Sequence, residues 1–307
     1  MLAGMRPTWR QNRAVGATLS AAAYVAALVV AIVVVRATGL SGALVQLGLG
    51  TLVATVFIFA TSVALNNSSM YDPYWSLQPL VIAGYYLWMD WGSLNGRQIL
   101  IAVLASLYAA RLTANFYRDW PGLSKEDFRY VGFRKATGRL YWLVSFAGIH
   151  LFPTIMVFLG CLPMYAASAK DPATALGWLD VVGALVTLGA ILLAFAADEQ
   201  LRVFRRVPAN RGRCIGTGLW ARSRHPNYLG EITTWWGLWL LALAAAPEYW
   251  WTVVGAAAIT AMFVFASVPM MEKRALATRA GYREYRERTP MLLPGLRRPE
   301  DTAEVED

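Results

Sequence analysis

Residues 15–36 read VGATLSAAAYVAALVVAIVVVR, with no charged side chain before Arg36. A helix rises about 1.5 Å per residue, so such a run matches the hydrocarbon thickness of a bilayer. Working outward, apolar runs of roughly 17 to 25 residues recur along the chain. They predict spans near 15–36, 43–65, 76–90, 97–117, 141–168, 175–197, 228–247 and 249–271, the third being the shortest. Of the 307 residues, 57% are hydrophobic and only 15% charged, more apolar than a soluble domain of this length requires. The sequence therefore predicts an all-α polytopic membrane protein with about eight transmembrane helices (seven to eight). Residues 1–65 are expected to form N-terminal transmembrane helices, 66–294 the membrane domain that carries the chemistry, and 295–307 an acidic, disordered tail.

Lys and Arg accumulate in cytoplasmic loops because translocating them is costly. With the N-terminus inside, the inner segments hold 3, 0, 6, 7 and 8 basic residues in order, against three outside (Arg36, Arg97 and Lys170). The expected placement is thus multi-pass in a bacterial inner membrane or its equivalent, both termini cytoplasmic, with the first apolar run retained as a span. The net charge of +9 follows from topology and gives no support for nucleic-acid binding, since the basic residues flank spans and mix with acids. The two cysteines, Cys161 and Cys214, show neither CxxC spacing nor a metal-ligand pattern, so no metal is expected.

Polar residues inside or beside spans need partners, and those that recur at helical spacing mark candidate sites. In LYAARLTANFYRDW, the residues Tyr108, Arg111, Asn115 and Arg118 line one helix face, and Arg111 lies two turns deeper than Arg118. In AADEQLRVFRR, the residues Asp198, Arg202 and Arg205 share a face. In SRHPNYLGE, Pro226 suits the first position of a helix, which places Asn227 and Glu231 one turn apart at its entry. MMEKRALATRAGYREYRERTP reads as a closing amphipathic helix with Arg274 and Tyr282 on one side. All four stretches are expected at the cytoplasmic side, where arginine forks and helix starts suit phosphate groups. No GxGxxG after a strand and no Walker motif is present, so a nucleotide would be held between helices.

GLWARSRHPNYLGE, KEDFRYVGFR, AADEQ and YREYRERTPMLLP together resemble the steroid 5-alpha-reductase superfamily, over roughly residues 66–294, and within it the bacterial branch of uncharacterised reductase-like membrane proteins of the DUF1295 type. The resemblance implies NADPH as cofactor, in a pocket open to the cytoplasmic side. It implies that Asn227 and Glu231 contact NADPH, that Asp198 and Arg205 bind its adenosine and phosphates, and that Arg274 and Tyr282 hold its phosphates and nicotinamide side. It places Tyr108 at the substrate carbonyl and Arg111 at the cofactor, and Asn115, Arg118, Arg224, His225 and Tyr228 complete the cofactor-facing set. The steroid enzymes carry a Gln-Glu pair where this chain reads NNSSMYDPYWS, so Asp72 is the only carboxylate there. Asp72 and Tyr108 are therefore the catalytic candidates.

The implied reaction is NADPH-dependent reduction of a carbon–carbon double bond conjugated to a carbonyl in a lipophilic substrate, a steroid-like or other lipid enone that enters from the bilayer. Charge developing on the carbonyl oxygen would be stabilised by Tyr108 and a protonated Asp72. Two alternatives stand beside it. Arg224-His225-Pro226 is also the spelling of membrane methyltransferases that use S-adenosylmethionine and resemble isoprenylcysteine carboxyl methyltransferase, although their Glu-Glu pair is Glu272-Lys273 here. A non-catalytic sterol- or lipid-binding membrane protein is the third reading.

Overall fold

The computed structural model describes residues 8–168 and 175–294. Among them every regular element is helical. The acidic tail expected at 295–307 lies outside the described residues. Between Ala175 and Leu176 the chain divides into two compact units.

The first unit begins with α1 (Arg13–Thr38), whose N-cap Asn12 accepts from Ala14 N and Val15 N. Gly39, in the left-handed region at φ 62°, stops the helix. It packs on α2 (Ala43–Ala64). Next, α3 (Asp72–Met89) starts at Asp72-Pro73, four residues ahead of the expected span, because proline's missing amide hydrogen costs nothing in a first turn. α3 packs along α4 (Gly96–Asp119), which opens on a capping box between Asn95 and Gln98. At the far end of α4, Arg13 donates to the carbonyls of Tyr117 (2.5 Å) and Arg118 (2.9 Å), so the start of α1 caps the end of α4.

α5 (Phe128–Thr137) leads into α6 (Tyr141–Val144), a π-helical turn over Ser145–Leu151, α7 (Phe152–Gly160) and α8 (Leu162–Ser168), which together cover the expected span 141–168.

The second unit holds α9 (Trp178–Arg206) and α10 (Pro226–Ala245). α9 continues well past the expected span end, and Pro226 opens α10 as the sequence predicts. α11 (Val253–Met262), a π-turn at Phe263–Ser267 and α12 (Val268–Thr278) follow one another, and α13 (Tyr282–Arg288) closes the unit.

One expectation fails here. Arg274 and Tyr282 do not share a helix face, because α12 ends at Thr278 and Gly281, at φ 71°, turns the chain before Tyr282 begins α13. A left-handed glycine cannot continue a right-handed helix.

Among the described residues, six helical runs are long and apolar enough to cross a membrane: α1, α2, α4, Phe128–Ser168, α9 and Pro247–Thr278. The other two expected spans, α3 and α10, are helices of 18 and 20 residues whose Tyr, Trp, Asn, Gln and Pro content dilutes their apolar character.

α9 and α10 approach through glycine. A Cβ added at Gly237 would meet Thr187 Oγ1 at 2.2 Å, and one at Gly230 would meet Ala190 O at 2.5 Å. Such seams let helices associate where the apolar medium provides little driving force. Gly237→Ala is expected to cost about 1–3 kcal/mol through overpacking, seen as a lower Tm in detergent. Gly132→Ala, in α5 with nothing within 4 Å of the added carbon, is expected to raise Tm slightly.

Candidate functional site

In the first unit the segment 66–73 is bound to 123–130. Asn67 caps a short turn through Ser69 N, and its Nδ2 donates to Leu123 O (3.1 Å) and Lys125 O (3.0 Å). Ser68 N donates to Glu126 Oε1 (2.7 Å), and Asp127 N donates to Ser69 Oγ (2.8 Å). These bonds place Asp72 against the start of α5. Tyr130 Oη donates to Asp72 Oδ1 at 2.5 Å, and the Arg129 guanidinium lies 3.7 Å from the same oxygen while also holding Asp127 at 2.7 Å. Burial raises the Asp72 carboxyl from 3.8 to about 7, with Arg129 opposing the rise. Near neutral pH this group is divided between donor and acceptor forms.

On α4, Tyr108 and Arg111 are buried (3% and 7% exposed), Asn115 is half-buried and Arg118 is exposed. The predicted face thus runs from interior to surface, and the Arg111 guanidinium carbon lies 5.9 Å from the Tyr108 ring centre. Ser76 Oγ and Thr113 Oγ1, 3.1 Å apart, set the turn after Asp72 beside the Arg111–Asn115 turn.

In the second unit two predicted cofactor residues meet. Asn227 Nδ2 donates to Asp198 Oδ1 at 3.1 Å, which joins the start of α10 to the last turns of α9. Glu231, one turn deeper on α10, is 6% exposed. Arg205, on the final turns of α9, and Arg274, on α12, are exposed. Arg202 pairs with Glu199. Tyr282 is buried, and that burial pushes its phenol up to about 12.

Arg224 and His225 are engaged by Glu272, which the sequence reading treated only as a departure from the methyltransferase pattern. Arg224 Nε donates to Glu272 Oε1 at 2.7 Å, and His225 Nε2 lies 3.3 Å from the same oxygen. Arg286 Nε lies 3.5 Å from Oε2. Arg224 also donates through Nη1 to the carbonyls of Arg286 (3.0 Å) and Thr289 (2.5 Å) and through its backbone to Pro290 O (2.9 Å). Arg224 therefore fastens the closing segment. The His225 ring stacks on Tyr228 (5.3 Å, 11°), and burial pushes its imidazole below the ordinary value, which leaves it neutral at neutral pH.

Sequence reasoning missed Tyr130, Glu272 and His150. The first two gave no periodic signal, because their partners lie 58 and 48 residues away. His150 gave one: an imidazole within an apolar run needs a partner, and it is bonded to Ser145 O (2.9 Å) and Ser62 Oγ (3.0 Å).

Removing one partner of a buried ion pair leaves the other uncompensated. Glu272→Gln is expected to destabilise the second unit by roughly 3 kcal/mol. The loss is measurable as a lower Tm in detergent and as faster tryptic cleavage after Arg283 and Arg288.

The chain matches the family described as "Protein of unknown function (DUF1295)" over residues 58–289. It is 28% identical over 263 residues to the uncharacterized protein C594.04c of Schizosaccharomyces pombe, covering 78% of this chain and 76% of the relative. No solved structure matches significantly. With most of its length, the Asp72 and Tyr108 segments and the SRHPNYLGE turn inside the matched region, the chain belongs to the DUF1295 family.

Proposed function

We propose that this protein is an NADPH-dependent reductase of carbon–carbon double bonds conjugated to a carbonyl in a lipophilic substrate, crossing the membrane eight times with its cofactor pocket open to the cytoplasm. The observation that carries this reading is the Asn227–Asp198 bond, which gathers an amide and a carboxylate from two helix ends beside the buried Glu231. The donor chemistry of this unit fits a phosphorylated dinucleotide. Exposed guanidinium groups at Arg205 and Arg274 suit phosphates, and the carboxylates of Asp198 and Glu231 suit hydroxyl and amide donors.

When bound, NADPH would supply a hydride to the beta carbon of the enone. Tyr108 would donate a hydrogen bond to the carbonyl oxygen as negative charge develops there, and the enolate would then take a proton at its alpha carbon from Tyr108 or water. Asp72 in its protonated form would add a second donor, and Tyr130 and Arg129 fix the orientation of its carboxyl. An apolar substrate would reach these residues from the bilayer.

Direct binding of NADPH, NADH and S-adenosylmethionine to detergent-solubilised protein separates the readings. A selective NADPH response is expected. Arg205→Ala and Glu231→Gln are each expected to weaken it roughly ten- to hundredfold, the range for losing a hydrogen bond to a charged group. Tyr108→Phe is expected to leave NADPH binding intact and to lower turnover of a lipid enone by about 10²-fold or more. Normal turnover by Tyr108→Phe would remove the tyrosine from the chemistry.

The Asp72 carboxyl, at about 7, is a donor only below that pH. Turnover is expected to fall as pH rises through 7, and Asp72→Asn is expected to abolish that limb of the profile.

One observation favours the methyltransferase reading: Arg224 and His225, which share that family's spelling, are held by Glu272, the first carboxylate position of its pair. Lys273 beside it is exposed. Selective S-adenosylmethionine binding in the same experiment would establish that reading in place of the reductase.

A further inference from the structure

The first unit contains an apolar cavity of about 880 Å³ walled by α1, α2 and α3. That volume lies in the range that takes a whole lipophilic molecule, roughly 300–1,000 Å³. Its lining on α1 runs from Tyr24 to Arg36, thirteen residues and thus on the order of 18 Å along the axis. The space is therefore elongated.

The polar groups on its wall differ in what they offer. At the Tyr24 end the two phenols and the Gln78 amide are engaged by protein groups. Tyr24 Oη donates to Met70 O (2.8 Å), Tyr74 Oη is bonded to Thr55 Oγ1 (3.2 Å), and Gln78 Nε2 donates to Thr154 O (3.3 Å). The Thr154 carbonyl fixes the orientation of the Gln78 amide, and its Oε1 is a buried acceptor with no hydrogen-bond partner among the described residues. An anionic group would be repelled there.

At the other end, Gln46 is taken up by Tyr85 (2.5 Å) and Leu40 O (2.8 Å). Arg36 is the one charged residue of the lining, and its exposed guanidinium has no hydrogen bond or ion pair among the described residues.

We infer that this cavity binds a single-chain anionic lipid, a long-chain carboxylate, with its head on Arg36 and its chain running between α1 and α3 toward Tyr24 and Tyr74. An apolar, elongated space whose one charged residue is a cation at one end, with no cation at the other, matches that molecule in shape and polarity. The site is independent of the reductase reading, since none of its residues belongs to the proposed catalytic or cofactor set.

The test is equilibrium binding of radiolabelled palmitate to the full-length protein in detergent, with hexadecanol and dioleoylphosphatidylglycerol as competitors. Wild type is expected to bind palmitate and to bind hexadecanol at least tenfold more weakly. Affinity is expected to rise roughly fourfold per methylene from decanoate to tetradecanoate. Arg36→Gln is expected to remove the preference for palmitate over hexadecanol.

Gly84→Phe provides a filling variant at a position with room for a side-chain carbon. Gly84 lines the cavity on α3, and a carbon added there meets nothing within 4 Å. This variant is expected to abolish palmitate binding at unchanged Tm and unchanged NADPH binding. Palmitate binding that survives Gly84→Phe, or equal affinity for hexadecanol in wild type, would overturn the assignment. Displacement of palmitate by phosphatidylglycerol at equal concentration would overturn the single-chain occupant.

Discussion

A polar group enclosed by apolar helices must find its partner within the protein, and this constraint organises the first unit. Its clearest expression is a ladder of side chains running from the α5 N-terminus into the helical interior. Tyr141 donates to Glu126 (3.0 Å) and is bonded to Ser68 (2.6 Å), which in turn meets Ser145 (2.9 Å). His150 continues it between Ser145 O and Ser62 Oγ. This last step falls within the π-turn at Ser145–Leu151. Arg134 closes the outer end by pairing with Glu126 (3.1 Å) and lying 3.9 Å from the Tyr141 ring centre.

The same constraint explains why Asp72 is held rather than exposed. Its carboxyl is enclosed by a phenol and a guanidinium from the start of α5, so burial and ion pairing oppose one another and the carboxyl is pushed up to about 7. Groups in that balance suit proton donation, whereas a fully solvated aspartate would be an acceptor only.

In the second unit a single carboxylate has the corresponding role. Glu272 collects Arg224, His225 and Arg286, and through Arg224 it ties the carbonyls of the closing segment to the turn that precedes α10. The turn is further held by Tyr285, which donates to Trp220 O (2.6 Å), and by Trp220 Nε1, which donates to Ala197 O (3.0 Å). Asn227 and Glu231 follow directly on this braced turn.

The sequence by itself determined what depends on short range and on composition. Apolar run length located the helices, Pro226 marked the start of α10, and the three- and four-residue spacing in α4 and α9 placed Tyr108 with Arg111 and Asp198 with Arg205 on common faces. Periodicity reads one helix at a time, so it erred where a single residue breaks the helix, as Gly281 does between Arg274 and Tyr282. Only the tertiary structure decided the partners: Tyr130 for Asp72, Glu272 for Arg224 and His225, Ser62 for His150, and the cavity with Arg36 at one end. These contacts join residues tens of positions apart, and their energy comes from burial and desolvation, quantities that do not exist until the helices have packed.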